Sequence, residues 1–114
     1  MPRLVIDIDL GRSGTLSGDD IRLLELIDQK GSITAGGRAH GLRFRQTWER
    51  LNTMNHAFNA KLVEAHAGGA DGGGSELTSL GREVVRRYRA IEAGAAQTSA
   101  ADLAAFQALI SRRS

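Results

Sequence analysis

Arginine and glutamine side chains are concentrated at the start of one segment without helix breakers, RFRQTWERLNTMNHAF. Arg43, Arg45 and Gln46 come first, and Glu49 and Arg50 follow within the next helical turn. An arginine guanidinium can donate two hydrogen bonds to O6 and N7 of guanine, and a glutamine amide pairs in a similar way with N6 and N7 of adenine. These residue types at this spacing therefore indicate contact with nucleic-acid bases.

Positive charge is unevenly distributed along the chain. Residues 38–61 contain five arginine or lysine residues against one glutamate, and residues 82–89 contain four arginines against one glutamate. By contrast, residues 1–30 contain four basic and six acidic residues. Clustered arginine is typical of proteins that bind polyanions, and we expect Arg38 and Thr53 to meet phosphate. The alternative is a solvated surface that binds no polyanion.

Other kinds of chemistry find little support in the sequence. His40, His56 and His66 fall in different segments, and no two of them are four residues apart in a motif such as H-E-x-x-H. The sequence has no cysteine, which excludes disulfides and thiolate metal sites. It also lacks the nucleophile-elbow signature of hydrolases. We therefore expect no catalytic site, no metal site and no cofactor, and so no enzyme.

The glycine-rich segment HAGGADGGGSEL at residues 66–77 leaves three alternatives to weigh. Gly68 and Gly73 have the spacing of a phosphate-binding loop, but Gly74 replaces its lysine and weak strands flank it on both sides. A flexible linker would divide the chain into two parts that are each small for a separate core. The flanks favour a β-hairpin, whose tip at 67–75 would bring backbone N–H groups close to phosphate oxygens. The glycines expected to make these contacts are Gly69, Gly72 and Gly73.

The elements that must position these residues follow from the hydrophobic pattern. Alternation over residues 4–10 predicts a strand with one buried face, and the following GRSGTLSG predicts a turn. A helix is predicted over 19–30. Ser17 and Asp20 have the spacing of a capping box at its start, and a glycine follows Lys30 where a helix often ends.

A second, short helix and a longer third one come next. Ser32 can cap the short helix ITAGGRAHG, whose glycine pair would permit the close approach of another helix, and Gly41 ends it. The third helix is predicted over 43–57, and its apolar stripe places Trp48 in the core. Phe44 is ambiguous, because it could begin that stripe or contact a thymine methyl group.

The remaining sequence completes a mainly α-helical fold with a small β wing. After the hairpin we expect a helix over 78–93, a loose segment over 94–100 and an amphipathic helix over 100–113. Two helices joined by a glycine-containing turn and followed by a hairpin make a winged helix-turn-helix. This domain would occupy residues 1–93, with residues 94–114 as a C-terminal linker and amphipathic helix that belongs to the same domain or to a dimer interface.

The bulk properties fit a single domain. The chain has 114 residues, of which 41% are hydrophobic and 25% are charged, as is ordinary for a globular protein. No apolar run approaches the roughly 18 residues that would span a bilayer. The first residues, MPRLVIDIDL, contain two aspartates and do not resemble a signal peptide. We expect no membrane association and a cytoplasmic location.

Two long stretches carry a family likeness. GSITAGGRAHGLRFRQTWERLNTMN and LVEAHAGGADGGGSELTSLGREVVRRYRAI resemble the N-terminal DNA-binding domain of ModE-type, molybdate-responsive transcription regulators. The opening RLVIDIDLGRSGTLSGDDIRLLELID is similar to that family's first strand and helix. The likeness covers about residues 3–93, and its most specific parts are the run from Trp48 to Asn55 and the GG-x-x-GGG wing followed by LT-x-x-G. LysR-type regulators are more distantly similar.

The chain also departs from the pattern of that family. Gly36 and Gly37 stand where the family usually has small residues, often alanine, and Arg43-Phe44-Arg45 replaces Ser-Tyr-Lys or Ser-Tyr-Arg. The added arginine increases positive charge at the DNA-facing end, so the base preference could differ. The chain has no room for the family's molybdate-binding domains, so we expect no molybdate site within it.

The resemblance implies a sequence-specific transcription regulator that binds double-stranded DNA. The recognition helix at about 43–57 would enter the major groove, and the glycine wing at 67–75 would lie on the DNA backbone. A homodimer is expected to form through helix 19–30, helix 78–93 and the C-terminal helix. The alternative is a winged-helix interaction or dimerisation module without specific DNA binding.

Overall fold

A computed structural model describes residues 1–66 and 74–112 of the chain. In this part of the sequence a short hairpin with a 3-10 turn at Gly11–Ser13 is followed by three α-helices, a second hairpin and two more α-helices. The strands are β1 (Asp7–Asp9), β2 (Thr15–Ser17), β3 (Val63–His66) and β4 (Gly74–Leu77). The helices are α1 (Gly18–Lys30), α2 (Ile33–His40), α3 (Phe44–Phe58), α4 (Ser79–Thr98) and α5 (Ala100–Ser111).

The N-terminal region is a hairpin, whereas the sequence predicted a single strand and a turn. β1 pairs antiparallel with β2, with Ile8 opposite Leu16. The reversal between them is possible because Gly11 and Gly14 adopt positive φ angles of 72° and 112°. The segment interpreted as a turn therefore also contains a second strand, which buries Leu16 in the core.

Helix α1 forms the centre of the core and begins as predicted. Ser17 Oγ accepts a hydrogen bond from the Asp20 amide at 3.2 Å, and Asp20 Oδ2 accepts one from the Ser17 amide at 3.0 Å, which completes the capping box. Gly31 ends the helix with a φ of 76°. The buried residues of the helix are Ile21, Leu23, Leu24, Leu26 and Ile27.

The two glycines of α2 allow this helix to pack closely against both α1 and α3. A Cβ on Gly36 would lie 2.6 Å from the Cα of Ile27 on α1. A Cβ on Gly37 would lie 2.6 Å from Cγ2 of Thr47 on α3, and closer still to its Oγ1. Gly41 then ends α2 with a φ of 91°. The predicted close approach is confirmed.

The core stripe of α3 differs from the predicted one. Leu51 and Met54 are buried as expected, but Trp48 is 38% exposed and Phe44 is 66% exposed. Thr47 takes the core position instead, with 1% exposure and its hydroxyl donating to the Arg43 carbonyl at 2.9 Å. The prediction that Trp48 is a core residue is wrong, because the close approach of α2 admits only a small side chain at this level of α3.

The second hairpin is the predicted wing. β3 pairs antiparallel with β4, with Val63 opposite Leu77 and His66 opposite Gly74. The base of the hairpin is attached to the end of α1, since the Ser75 amide donates to the Gly31 carbonyl at 2.8 Å. The predicted contact residues Gly69, Gly72 and Gly73 lie outside the described residues.

Helix α4 is longer than predicted and almost continuous with α5, which ends at Ser111 rather than at residue 113. α4 extends to Thr98, so most of the segment interpreted as loose is helical, as its alanine content favours. A single residue, Ser99, separates α4 from α5. The described chain measures 58 × 30 × 22 Å, and its radius of gyration of 17.1 Å exceeds the roughly 13 Å of a compact domain of about this size.

Tyr88 joins α4 to the N-terminal segment and provides a test of this packing. Its hydroxyl donates to the Ile6 carbonyl at 2.7 Å, and its side chain is 2% exposed, which raises the pKa of the phenol. We expect Tyr88→Phe to lower the free energy of unfolding by about 1–2 kcal/mol, because the carbonyl loses its partner. Urea denaturation measures this change, with Gln97→Lys at an exposed position of the same helix as the control. An unchanged urea midpoint would contradict it.

Candidate nucleic-acid interface

One face of α3 points away from the core and is open to solvent. Arg45, Glu49, Asn52, Thr53 and His56 follow helical spacing along it, and all five are exposed. The opposite face packs into the core. α3 therefore presents about three turns of polar and charged side chains on its outer surface, which is the arrangement that a helix needs to enter a groove of DNA.

The start of α3 concentrates hydrogen-bond donors. Arg43 precedes the first helical residue, and its amide donates to Gln46 Oε1 at 2.9 Å. Gln46, predicted to read a base, thus caps its own helix through its oxygen and keeps only Nε2 to donate to a ligand. Arg43 and Arg45 are both exposed beside the positive end of the helix dipole, which favours an anionic ligand.

The side chains of two other predicted residues are partly engaged within the protein. Arg50 Nε lies 3.9 Å from Asp20 Oδ1, and the side chain of Arg50 is 36% exposed. Thr53 Oγ1 donates to the Glu49 carbonyl at 2.9 Å. Together with Gln46, these residues line a groove of about 340 Å³ between α3 and the N-terminal hairpin. On this flank of α3, fewer polar groups are therefore free to contact DNA than the sequence suggested.

The two arginine clusters are used differently. In the cluster on α4, Arg86 and Arg87 both pair with Glu83, and Arg89 pairs with Glu25 and Glu92. Hydrogen bonds from both arginines lower the pKa of Glu83, and those from the two glutamates raise the pKa of Arg89. The pair between Arg89 and Glu25 joins α4 to α1, and with the pairs within α4 it leaves the α4 cluster largely neutralised within the chain.

The arginines around the helix-turn-helix are not neutralised in this way. Across residues 1–66 and 74–112, Arg38, Arg43 and Arg45 have no carboxylate within 4.0 Å of their guanidinium nitrogens. Arg38 lies in the last turn of α2, three residues before Gly41, and is exposed. Positive charge is therefore available on both sides of the turn that leads into α3.

Two aromatic residues belong to this surface: Trp48, which the sequence analysis assigned to the core, and Phe44, which it left open. The rings of Phe44 and Trp48 lie 6.3 Å apart at an angle of 56°, and both are exposed at the start of α3. Trp48 also lines a shallow groove with Thr34 of α2 and with His66 and Gly74 at the base of the wing. A second stripe, through Thr47, Leu51 and Met54, could have indicated the true core face.

Within the described ranges, no group of three or more histidine or acidic side chains is placed to hold a metal ion. No helix among those residues is both long and apolar enough to cross a membrane.

Comparison with known proteins identifies related sequences. "Molybdenum transport protein ModE" of Azotobacter vinelandii is 40% identical over 92 residues, which are 81% of this chain and 33% of that protein. "Molybdenum-pterin-binding protein MopB" of Rhodobacter capsulatus is 39% identical over 77% of this chain and 33% of that protein. "DNA-binding transcriptional dual regulator ModE" of Escherichia coli K12 is 37% identical over 60% of this chain and 26% of that protein. The chain thus spans a third or less of these relatives, and no family model matches it.

A solved structure has a similar fold. The S. aureus MepR–DNA complex superposes with a TM-score of 0.59 over 87% of this chain and 82% of that chain, at 14% sequence identity. At this identity the likeness concerns the fold alone. The chain has a winged helix-turn-helix fold and is, over most of its length, a homologue of the ModE and Mop molybdenum-related proteins.

Proposed function

We propose that this chain binds double-stranded DNA sequence-specifically, as a homodimeric transcription regulator of ModE-like type. The observation that carries the proposal is the outer face of α3, where exposed side chains follow three turns of a helix in a helix-turn-helix fold. Three relatives whose names describe transcriptional or DNA-binding regulators support it, at 37% identity over 60% of this chain.

In this proposal α3 enters the major groove with its first turn foremost. Arg43 and Arg45 contact guanine, because exposed guanidinium groups can reach O6 and N7 together. Gln46 contributes through Nε2 and Glu49 through its carboxylate, while Arg38, Arg50 and Thr53 contact or lie near phosphate. Three glycines of the wing would meet the DNA backbone: Gly69, Gly72 and Gly73.

A homodimer would read two related half-sites. The two α3 helices would then be separated by about one helical turn of DNA, roughly 34–36 Å, or a multiple of it. The second candidate function, a protein-interaction or dimerisation module, is favoured by the exposed apolar side chains of α5. Both candidates involve an interface between proteins, and only the first requires DNA.

DNA selection from a random pool tests the proposal directly. Fluorescence anisotropy then compares the selected sequence with a shuffled version of it at several salt concentrations. We expect a preference of about a thousandfold or more, together with an affinity that falls steeply with salt. Repeating the titration with molybdate tests the expectation that the chain contains no molybdate site. Equal binding to selected and shuffled DNA would contradict sequence-specific recognition and favour the interaction module.

A further inference from the structure

A shallow groove separates the start of α2 from the base of the wing, and we name it the α2–wing groove. It has a volume of about 220 Å³, and Trp48 of α3 forms part of its wall. None of the described residues that line it is acidic, and most of them have a side chain that can donate a hydrogen bond. The lining residues are Ser32, Ile33, Thr34, Trp48, Ala65, His66, Gly74 and Ser75.

The first turn of α2 has two backbone donors that are not used within the protein. Ser32 Oγ accepts a hydrogen bond from the Ala35 amide, and the Ser32 carbonyl accepts one from the Gly36 amide, both at 2.9 Å. The amides of Ile33 and Thr34 have no partner in the described part of the chain, and both residues line the groove. Together with the positive end of the α2 dipole, these amides favour an anion.

Ser75 is an independent indication of a ligand in the groove. The residue is only 7% exposed, yet its hydroxyl has no hydrogen-bond partner among residues 1–66 and 74–112. Among the same residues, no polar side-chain atom is both shut off from solvent and unpartnered. The Ser75 hydroxyl is therefore open to solvent, and the groove that Ser75 lines is the opening. A free hydroxyl on an otherwise buried residue is available to a bound group.

Trp48 contributes a donor from α3. Its indole N–H can donate but not accept, and it has no hydrogen-bond partner within the described ranges. Trp48 follows Arg45 by three residues, so the two side chains are neighbours on the helix surface. The groove therefore adjoins the face of α3 that carries the proposed base contacts.

We propose that the α2–wing groove binds one phosphate of the DNA backbone. This rests on the proposed function and specifies that the DNA strand passes between the recognition helix and the base of the wing. The amides at the start of α2 and the hydroxyls of Thr34 and Ser75 donate to the phosphate oxygens, and the Trp48 indole N–H donates from α3. Such contacts fix the orientation of a protein on DNA without reading its sequence, so Trp48 is a positioning residue.

Trp48→Phe tests this role because it keeps an aromatic ring and removes the indole N–H. We expect binding to weaken by roughly tenfold on selected and shuffled DNA alike, since a hydrogen bond to a charged group is lost. The salt dependence should not change, because it follows the number of phosphates that lysine and arginine neutralise. A loss that merely reflected unfolding would instead lower the urea midpoint of the variant.

Substituting single phosphates identifies the one that is bound. Methylphosphonate, introduced at one position of the selected DNA at a time, removes the charge and one acceptor oxygen of that phosphate. We expect a position at which the wild type loses roughly tenfold in affinity, whereas Trp48→Phe loses less than about threefold. Ser75→Ala should show the same coupling at the same position. Ser79→Ala, at an exposed position of α4, is the matched control and should behave like the wild type.

The outcomes distinguish this inference from the proposed function. Sequence-specific binding in which no phosphate is coupled to Trp48 or Ser75 would overturn the phosphate site and leave the proposed function intact. Binding without sequence preference would remove the proposed function, while an equal loss in Trp48→Phe at unchanged salt dependence would still support the site. A protein that binds no DNA would overturn both.

A free oxyanion is the other possible source of the same chemistry. Trp48 is the only tryptophan in the sequence, so its fluorescence reports on the groove. We expect DNA to change this fluorescence and inorganic phosphate to leave it unchanged. A saturable change with inorganic phosphate, without coupling to any DNA phosphate, would assign the groove to a free anion and overturn the proposal.

Discussion

Replacing Gly37 with alanine should destabilise the protein by about 1–3 kcal/mol, although alanine is the better helix former. The new methyl group would lie 2.8 Å from the Cβ of Thr47 and 2.6 Å from its Cγ2. Thr47 is buried, and its hydroxyl is bonded to the Arg43 carbonyl, so it cannot turn aside without losing that bond. α3 would have to move away from α2, which also displaces Arg43 and Arg45.

Gly94→Ala is the matched control for this experiment. Gly94 lies within α4, and a Cβ there would meet nothing within 4 Å. The control should therefore raise the free energy of unfolding by up to about 1 kcal/mol, the intrinsic preference of a helix for alanine over glycine. Denaturant unfolding measures both variants. If the two substitutions had the same effect, the close contact between α2 and α3 would be refuted.

A double-mutant cycle locates the cause. Thr47→Ala removes Oγ1 and Cγ2, the two atoms closest to the new methyl group. Gly37→Ala should therefore cost less in the Thr47→Ala background than in the wild type, by at least about 0.5 kcal/mol. Additive effects would indicate that the strain lies elsewhere.

Reversing the charge of Arg45 should have the largest effect on the proposed DNA binding. Arg45 is exposed on the outer face of α3 and has no carboxylate partner among the residues described. We expect Arg45→Glu to weaken binding to the selected sequence by at least about 1–3 kcal/mol and to reduce the preference over shuffled DNA. Its exposed position predicts an unchanged free energy of unfolding.

The effect of Arg45→Glu is compared with that of a second charge reversal, and on selected and shuffled DNA. Arg22→Glu, an exposed charge reversal on α1, changes the net charge equally and should have a smaller effect on specific affinity. If Arg45 contacts phosphate alone, affinity should fall equally for selected and shuffled DNA, and the salt dependence should become shallower. Unchanged affinity in Arg45→Glu would favour the interaction module.

Local signals in the sequence predicted most of the fold. The capping box of Ser17 and Asp20, the cap at Ser32 and the glycines that end α1 and α2 specify helix boundaries through contacts within a few residues. The hairpin at residues 63–77 was predicted from the short strands on both sides of the glycine-rich segment. Such features do not depend on distant parts of the chain.

The missed features depend on tertiary packing. Trp48 and Thr47 are adjacent, and two alternative stripes continue from them along α3; the close contact of Gly37 with Thr47 places the stripe of Thr47 in the core. β2 is three residues long and carries too short a pattern to be distinguished from a turn. In the second arginine cluster, Arg89 pairs with Glu25, which is 64 residues away in sequence. Sequence spacing alone could not distinguish the arginines of α4, which are paired within the chain, from the exposed arginines around the helix-turn-helix.

The attachment of the wing to α1 has a mechanical consequence. The Ser75 amide is bonded to the Gly31 carbonyl, and the Leu77 amide to Asp28 Oδ1 at 3.1 Å, so β4 is tied at two points to the end of α1. Gly31 also immediately precedes Ser32, which caps α2. The base of the wing and the start of α2 are therefore connected through the single residue Gly31, so a displacement of either one strains the hydrogen bonds that hold the other.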